Sequence, residues 1–242
     1  TSCDVCAAGQ ADLDGDPSTP CVACTAGHAS VSGSTSCTEC PLGTVDDDSD
    51  PSTACVWCGA GEYSTLGTTV CVACASGRAD VDRDPSTACA SCIAGQYSLS
   101  NATVCTDCAA GLADLDMDAS TVCDVCVNGS YAAGGGTSCD ACVVGQADLD
   151  MTASTVCDAC GVGEYSSTGA VGCVDCSAGQ ADVDGNASTS CEGCDAGEYS
   201  GAGWTNCSSC GAGFADLDGD ASTLCDSCSV GHYAGVGATV CA

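Results

Sequence analysis

The chain has no lysine and only two arginines, Arg78 and Arg83, against 33 acidic residues, which leaves a formal net charge of −31. Affinity for nucleic acid rests on basic groups set against phosphate, and an anionic membrane surface recruits basic segments, so both partners are excluded. Aromatic residues are scarce, with one Phe, two Trp and six Tyr. Gly or Cys interrupts every window of helical length, so the chain has neither helical periodicity nor material for a large common core. No apolar run approaches the ~18 residues of a membrane span, and no charged start followed by an apolar block reads as a signal peptide. The two histidines, His28 and His232, stand in no plausible relation to a nucleophile. No phosphate loop is present, and carboxylate pairs repeated seven times are not one active site, so the expectation is a protein that is not an enzyme.

What the chain has is cysteine, 29 residues of it, spaced by a rule. Cys3, Cys37, Cys71, Cys105, Cys139, Cys173, Cys207 and Cys241 are one position read at a constant period of 34. Seven units starting at Cys3, Cys37, Cys71, Cys105, Cys139, Cys173 and Cys207 make residues 1–242 one continuous array, and the pattern reads as a slice of a longer one. Each unit must be held by its own cross-links and by its neighbours.

Every unit has two halves. The acidic half is CAAGQADLDGDPSTPC from Cys6 and CASGRADVDRDPSTAC from Cys74; the tyrosine half is CGAGEYSTLGTTVC from Cys58 and CIAGQYSLSNATVC from Cys92. Both place glycine three residues after the cysteine, from Gly9 through Gly231, which predicts a positive φ or a close backbone approach there. Tyr63, Tyr97, Tyr131, Tyr165, Tyr199 and Tyr233 share one place, and their rings are expected to cover a disulfide or the neighbouring turn. The Ser-Thr pair before the closing cysteine, Ser18-Thr19 through Ser222-Thr223, is expected to form turns through its hydroxyls.

The compartment follows from composition. Cysteine at this density marks a disulfide scaffold and argues against reducing cytosol. All four asparagines, Asn101, Asn128, Asn186 and Asn206, stand in Asn-x-Ser/Thr sequons, which supports an extracellular, glycosylated chain. Pairs of Cys-x-x-Cys also suit structural zinc, but a zinc array groups its pairs two by two. Here the spacing runs on unbroken, so disulfides are the reading.

Cys-x-x-Gly-x-Tyr followed by a closing Cys-x-x-Cys, clearest in CGAGEYSTLGTTVCVAC from Cys58 and CGVGEYSSTGAVGCVDC from Cys160, resembles the cysteine-rich modules of tumour necrosis factor receptors and the ephrin-receptor-like repeats. The likeness extends over all the half-units. Ala29 replaces tyrosine in the first tyrosine half, and alanine or Val45 replaces it in the acidic halves. These short motifs specify a module type and not a function. The resemblance implies that each cysteine before Gly bonds the next cysteine closing its loop: Cys6 with Cys21, Cys24 with Cys37, Cys40 with Cys55, Cys58 with Cys71, Cys74 with Cys89, Cys92 with Cys105 and Cys108 with Cys123. It continues with Cys126 and Cys139, Cys142 and Cys157, Cys160 and Cys173, Cys176 and Cys191, Cys194 and Cys207, Cys210 and Cys225, and Cys228 and Cys241. This leaves Cys3 over. A double bridge within each unit, Cys3 to Cys21 and Cys6 to Cys24, leaves only Cys241 over, so counting does not decide between them.

One constellation carries potential chemistry. Asp12 and Asp14 flank Leu13, and the spacing returns at Asp46 and Asp48, Asp80 and Asp82, Asp114 and Asp116, Asp148 and Asp150, Asp182 and Asp184, and Asp216 and Asp218. On an extended strand, residues i and i+2 share a face about 7 Å apart. Two such carboxylates can hold calcium, with Asp16, Asp50, Asp84, Asp118 and Asp220 as a third ligand where Thr152 and Asn186 do not intervene. The competing reading is a solvated acidic face.

The expected fold is a small disulfide-rich, mostly β and irregular chain: an extended solenoid or rod of seven 34-residue repeats, with short β-hairpins and a disulfide ladder. The expected function is an extracellular structural repeat protein, a filament, fibre or cell-surface appendage stiffened by calcium, whose partners are copies of itself or neighbouring repeats. The alternative is the stalk or binding region of a receptor-like or adhesive ectodomain.

Overall fold

The computed structural model describes residues 4–242, so Cys3 lies outside the described residues. Among these there is no helix, and 26 strands of two residues each pair into thirteen antiparallel hairpins. One hairpin belongs to one half-unit. In the first acidic half Gln10–Ala11 pairs with Val22–Ala23, and in the next tyrosine half His28–Ala29 pairs with Thr38–Glu39. The last tyrosine half has no assigned strand, yet Tyr233 and Ala242 exchange both backbone hydrogen bonds there.

Fourteen disulfides close the half-units, from Cys6–Cys21 to Cys228–Cys241, with sequence separations alternating between 15 and 13. Cys92 bonds Cys105 and Cys108 bonds Cys123, which is the ladder implied by the resemblance and not the double bridge. Each bridge joins Cα atoms 5.5 to 5.7 Å apart and removes about 3 kcal/mol of loop entropy from the unfolded chain.

The glycine three residues after each opening cysteine has φ between 80 and 92° in all fourteen half-units. Its place at the start of the hairpin lets its carbonyl accept the N–H of the next cysteine but one, as in Gly9 with Cys24 at 2.9 Å. A side chain there is barred by more than torsion. A Cβ on Gly27 would lie 2.1 Å from the Gly67 carbonyl oxygen of the next tyrosine half, and one on Gly43 would lie 2.9 Å from the amide nitrogen of Ser86 in the next acidic half.

The chain divides into two compact bodies, one of residues up to 108 with 114–123 and one of 109–113 with 124–242. Within each, the core is made of sulfur and methyl groups. In the first body Cys40, Cys74 and Cys108 are at most 1 % exposed; in the second, Cys142, Cys176 and Cys210 are fully buried. Alongside them stand Ala11, Val45 and Ala79 in the first body and Ala113, Ala147, Ala181 and Ala215 in the second, all buried. This is the place that tyrosine takes in the other halves. Where the position is sealed between neighbouring half-units only a small side chain fits, and where it is half-open tyrosine stands.

Tyr199 lies across the following turn, its ring centroid 5.8 Å from that of Trp204, and it lines one depression with the next acidic half's Leu224 and Cys225. A serine follows most of the tyrosines, and it is buried and bonded to the preceding half. Ser64 Oγ donates to the Thr44 carbonyl at 2.9 Å and Ser166 Oγ to that of Gln146 at 2.8 Å.

Candidate functional site: the aspartate turns and the half-unit junction

The strand of each acidic half ends one residue before the first aspartate, because the chain turns there. Asp12-Leu13-Asp14 is therefore a turn and not an extended strand, which corrects the shared-face expectation. The two carboxylates of each pair have different employment.

The first aspartate is buried. Asp46, Asp80, Asp114, Asp148, Asp182 and Asp216 are only 5 to 8 % exposed. In each of them Oδ2 accepts the N–H of the positive-φ glycine in the preceding tyrosine half, at Gly27, Gly61, Gly95, Gly129, Gly163 and Gly197, over 2.8 to 3.2 Å. The same residue reaches the following half through its own backbone. Asp46 N–H donates to the Thr68 carbonyl, Asp80 to Ala102, Asp148 to Ala170, Asp182 to Trp204 and Asp216 to Ala238, over 2.9 to 3.1 Å. One residue thus ties three consecutive half-units. A second bond completes the junction: the N–H after the tyrosine position donates to the carbonyl of the residue before the Ser-Thr pair, as in Ser30 to Pro51, Ser64 to Pro85 and Ser166 to Ala187. Only a carbonyl is used there, so Pro17, Pro51 and Pro85 alternate freely with Ala119, Ala153, Ala187 and Ala221.

The second aspartate is exposed and closes its own turn. Asp14 Oδ1 accepts the Asp16 N–H at 3.0 Å, and both its oxygens accept the Thr19 hydroxyl at 3.0 Å. Asp184 does the same with the Asn186 N–H and the Thr189 hydroxyl. The single proton of the Thr19 hydroxyl is shared between the Asp14 carboxylate and the Asp16 carbonyl, 2.9 Å away, the hydroxyl-to-backbone contact that the Ser-Thr pair implied. The third acid turns onto the serine: Asp16 Oδ1 accepts both the N–H and the hydroxyl of Ser18.

Asp14, Asp48, Asp82, Asp150 and Asp184 are held below the usual aspartate range, first by the N–H two residues on. Asp16 and Asp220 are lowered first by the serine hydroxyl and then by its N–H. A carboxylate whose folded value is depressed contributes stability that is present above its unfolded value and lost as pH falls through the folded one. The turns are therefore expected to hold down to the ordinary aspartate range and to loosen only below it. Amide exchange at Asp16 and Asp50 followed against pH checks this, and loosening near neutrality would contradict it.

Asp46, Asp48 and Asp50 and their counterparts in the other units do not converge. Among the described residues, the one group of three metal-ligating types within 4.8 Å of one another is Cys160, Glu164 and Cys173. Those two cysteines are bonded to each other and offer no thiolate. The four sequon asparagines, Asn101, Asn128, Asn186 and Asn206, are all exposed. Asn186 occupies the third-acid position and its Oδ1 accepts the Ser188 N–H and hydroxyl, as Asp16 does with Ser18.

Sequence reasoning missed the aspartate–glycine bond. Invariance marked the pair without separating its members: both aspartates recur in all seven units, whereas the residue between them becomes Asp47 and the third acid becomes Thr152 or Asn186.

Replacing Asp182 with alanine is expected to leave the Gly163 N–H buried without a partner, at a cost of about 1–3 kcal/mol. Asparagine at the same place keeps an acceptor and should cost less. Denaturant titration of the two variants, with amide exchange at Gly163, checks the order.

The fold and junction define a disulfide-laddered tandem repeat. No family model and no curated protein matches this chain.

Proposed function

We propose that this chain is a structural element of the extracellular surface, part of a filament, fibre or cell-surface appendage, built by repeating one stacking operation. The observation that carries this reading is the uniformity of the junction. Six times a tyrosine half meets the next acidic half through the same two bonds, Gly N–H to Asp Oδ2 and N–H to carbonyl, without insertion or deletion. A surface that grips one ligand requires units that differ where the ligand sits; here the repeated contact is spent on the neighbouring unit. The partner is accordingly another half-unit, in the same array or in a neighbouring copy. Fourteen disulfides support an oxidising setting, and the exposed sequons support a glycosylated one.

In this reading the aspartates are a stacking device and not a calcium cage. Calcium takes six to eight oxygens, whereas in six units Oδ2 of the first carboxylate accepts a glycine N–H and the second carboxylate closes its own turn. Calcium titration of the chain is expected to give no more heat or stabilisation than magnesium at equal ionic strength. Saturable calcium-specific heat removed by Asp14→Asn with Asp16→Asn would restore the cage.

The function itself is tested by immunoelectron microscopy of intact cells that make the protein. Label along surface fibres or a coat is expected, and label confined to the cytosol would contradict the proposal.

A further inference from the structure

Asn128 is the one asparagine that a glycine follows; Asn101, Asn186 and Asn206 precede Ala102, Ala187 and Cys207. In an Asn-Gly pair the glycine nitrogen is able to attack Cγ of the asparagine side chain, because no side chain on the glycine obstructs the approach. Here the two residues have opposite surroundings. Asn128 is exposed and Gly129 is buried. The Gly129 nitrogen is the donor of its junction: its proton goes to Asp148 Oδ2 at 2.9 Å, and Oδ1 of the same carboxylate accepts the Thr152 N–H at 3.0 Å. A nitrogen that attacks must give up its proton. Asp148 is only 5 % exposed, and a buried carboxylate on that proton opposes the negative nitrogen that would be left. The glycine is also pinned in place. A Cβ on it would lie 2.2 Å from the Gly169 carbonyl oxygen of the next tyrosine half, and its own carbonyl accepts the Cys142 N–H at 2.8 Å.

We propose that Asn128 is a modification site gated by this junction: it closes to a succinimide, with loss of ammonia, only while the bond from Gly129 to Asp148 is open. Gly129 N forms a bond to Asn128 Cγ and passes its proton to water. The bond from Cγ to Nδ2 breaks as Nδ2 takes a proton from water and leaves as ammonia. Water then opens the ring at either carbonyl. One opening gives aspartate; the other gives an isoaspartyl link, in which the main chain runs through Cβ and Cγ and gains one carbon. The whole conversion consumes one water and releases one ammonia, with no oxidant or reductant. The added carbon displaces Gly129 against Gly169, where even a methyl group has no room, so the isoaspartyl junction does not close again. A reversible opening is thereby recorded in a covalent bond. The other five glycines that donate to an aspartate follow Ala26, Ala60, Ala94, Val162 and Ala196, so among these junctions this one alone carries the record.

The test follows ammonia loss at Asn128 by peptide mass spectrometry, in the full oxidised chain made without N-linked sugar, since a sugar on Nδ2 obstructs its departure. Loss is expected to be at least about a hundredfold slower than in the same chain reduced and unfolded, and the suppression should match the amide-exchange protection of Gly129 to within about fivefold. Asp148→Ala removes the acceptor and should raise the rate at least about tenfold. Asp148→Asn keeps an acceptor and should raise it less, and Asp182→Ala, which opens the next junction, should leave it unchanged. If Asp148→Ala does not fold, sub-denaturing urea on the unaltered chain decides: ammonia loss should rise in step with Gly129 exchange. The isolated isoaspartyl product should show no protection at Gly129. Loss as fast in the folded chain as in the reduced one, a rate that Asp148→Ala or urea does not move, or full protection of Gly129 in the isoaspartyl product would overturn the proposal.

Discussion

Alanine at Gly163 is expected to open the junction around it, at a cost of about 2–5 kcal/mol. Two terms add. Gly163 has φ +80°, a region that costs an L side chain about 1–2 kcal/mol. Its Cβ would also stand 2.1 Å from the Gly203 carbonyl oxygen and 2.8 Å from the carbonyl carbon, backbone that cannot step aside without disturbing the next tyrosine half. Overpacking of this kind costs about 1–3 kcal/mol more. Gly185 separates the terms, because it has φ +65° and a Cβ there would meet nothing within 4 Å. The sequence has made that experiment four times: Ser49, Arg83, Met117 and Met151 occupy the equivalent place with φ of 54 to 57°. Gly185→Ala should therefore cost only the torsional part. Denaturant titration of both variants, with amide exchange at Gly163 and Ser166, measures the difference. Equal losses would show that the close approach contributes nothing.

Removing one bridge, by Cys160→Ser with Cys173→Ser, is expected to cost about 3 kcal/mol and to act locally. The bridge stands beside the hairpin of Glu164–Tyr165 with Val174–Asp175, whose strand pairing is confined to its own half-unit. In a repeat array stability is a sum of unit and nearest-neighbour contributions. Amide exchange should accelerate roughly a hundredfold in residues 164–175, the counterpart of ~3 kcal/mol, while the hairpin of Glu198–Tyr199 with Ser208–Ser209 keeps its protection. Collapse of protection along the whole chain would mean that the half-units do not stand on their own bridges.

Much of this architecture was legible in the residues, for physical reasons. A glycine that recurs without exception announces a torsion or a contact that only glycine permits, and Gly27 meets both conditions. Scarcity of aromatics and regular cysteines announced a core without large side chains, and cystine with Ala79 or Ala181 fills it. Pairing was less accessible, because both bridge schemes satisfy the spacing and only the resemblance pointed to one. The role of Asp46 was not legible from its spacing to Asp48. A period of two suggests a strand, but a two-residue strand is over before the period has begun. The partner of Asp46 is also 19 residues back, at Gly27, where no local pattern can announce it. Burial on one side of a turn and exposure on the other separate chemically identical carboxylates into a latch and a loop closure, and that separation exists only once the half-units are stacked.

The account rests on each half-unit being its own closed loop, and peptide mapping of the unreduced protein tests this most directly. Arg78 and Arg83 are the only sites for trypsin, so cleavage at aspartate by acid or a suitable protease is required. The expected result is Cys92 linked to Cys105 and Cys108 linked to Cys123, with the same pattern throughout. Recovery of Cys71 linked to Cys89 would contradict it, because the loops, the hairpins beside them and the junctions between them would then be drawn on the wrong frame.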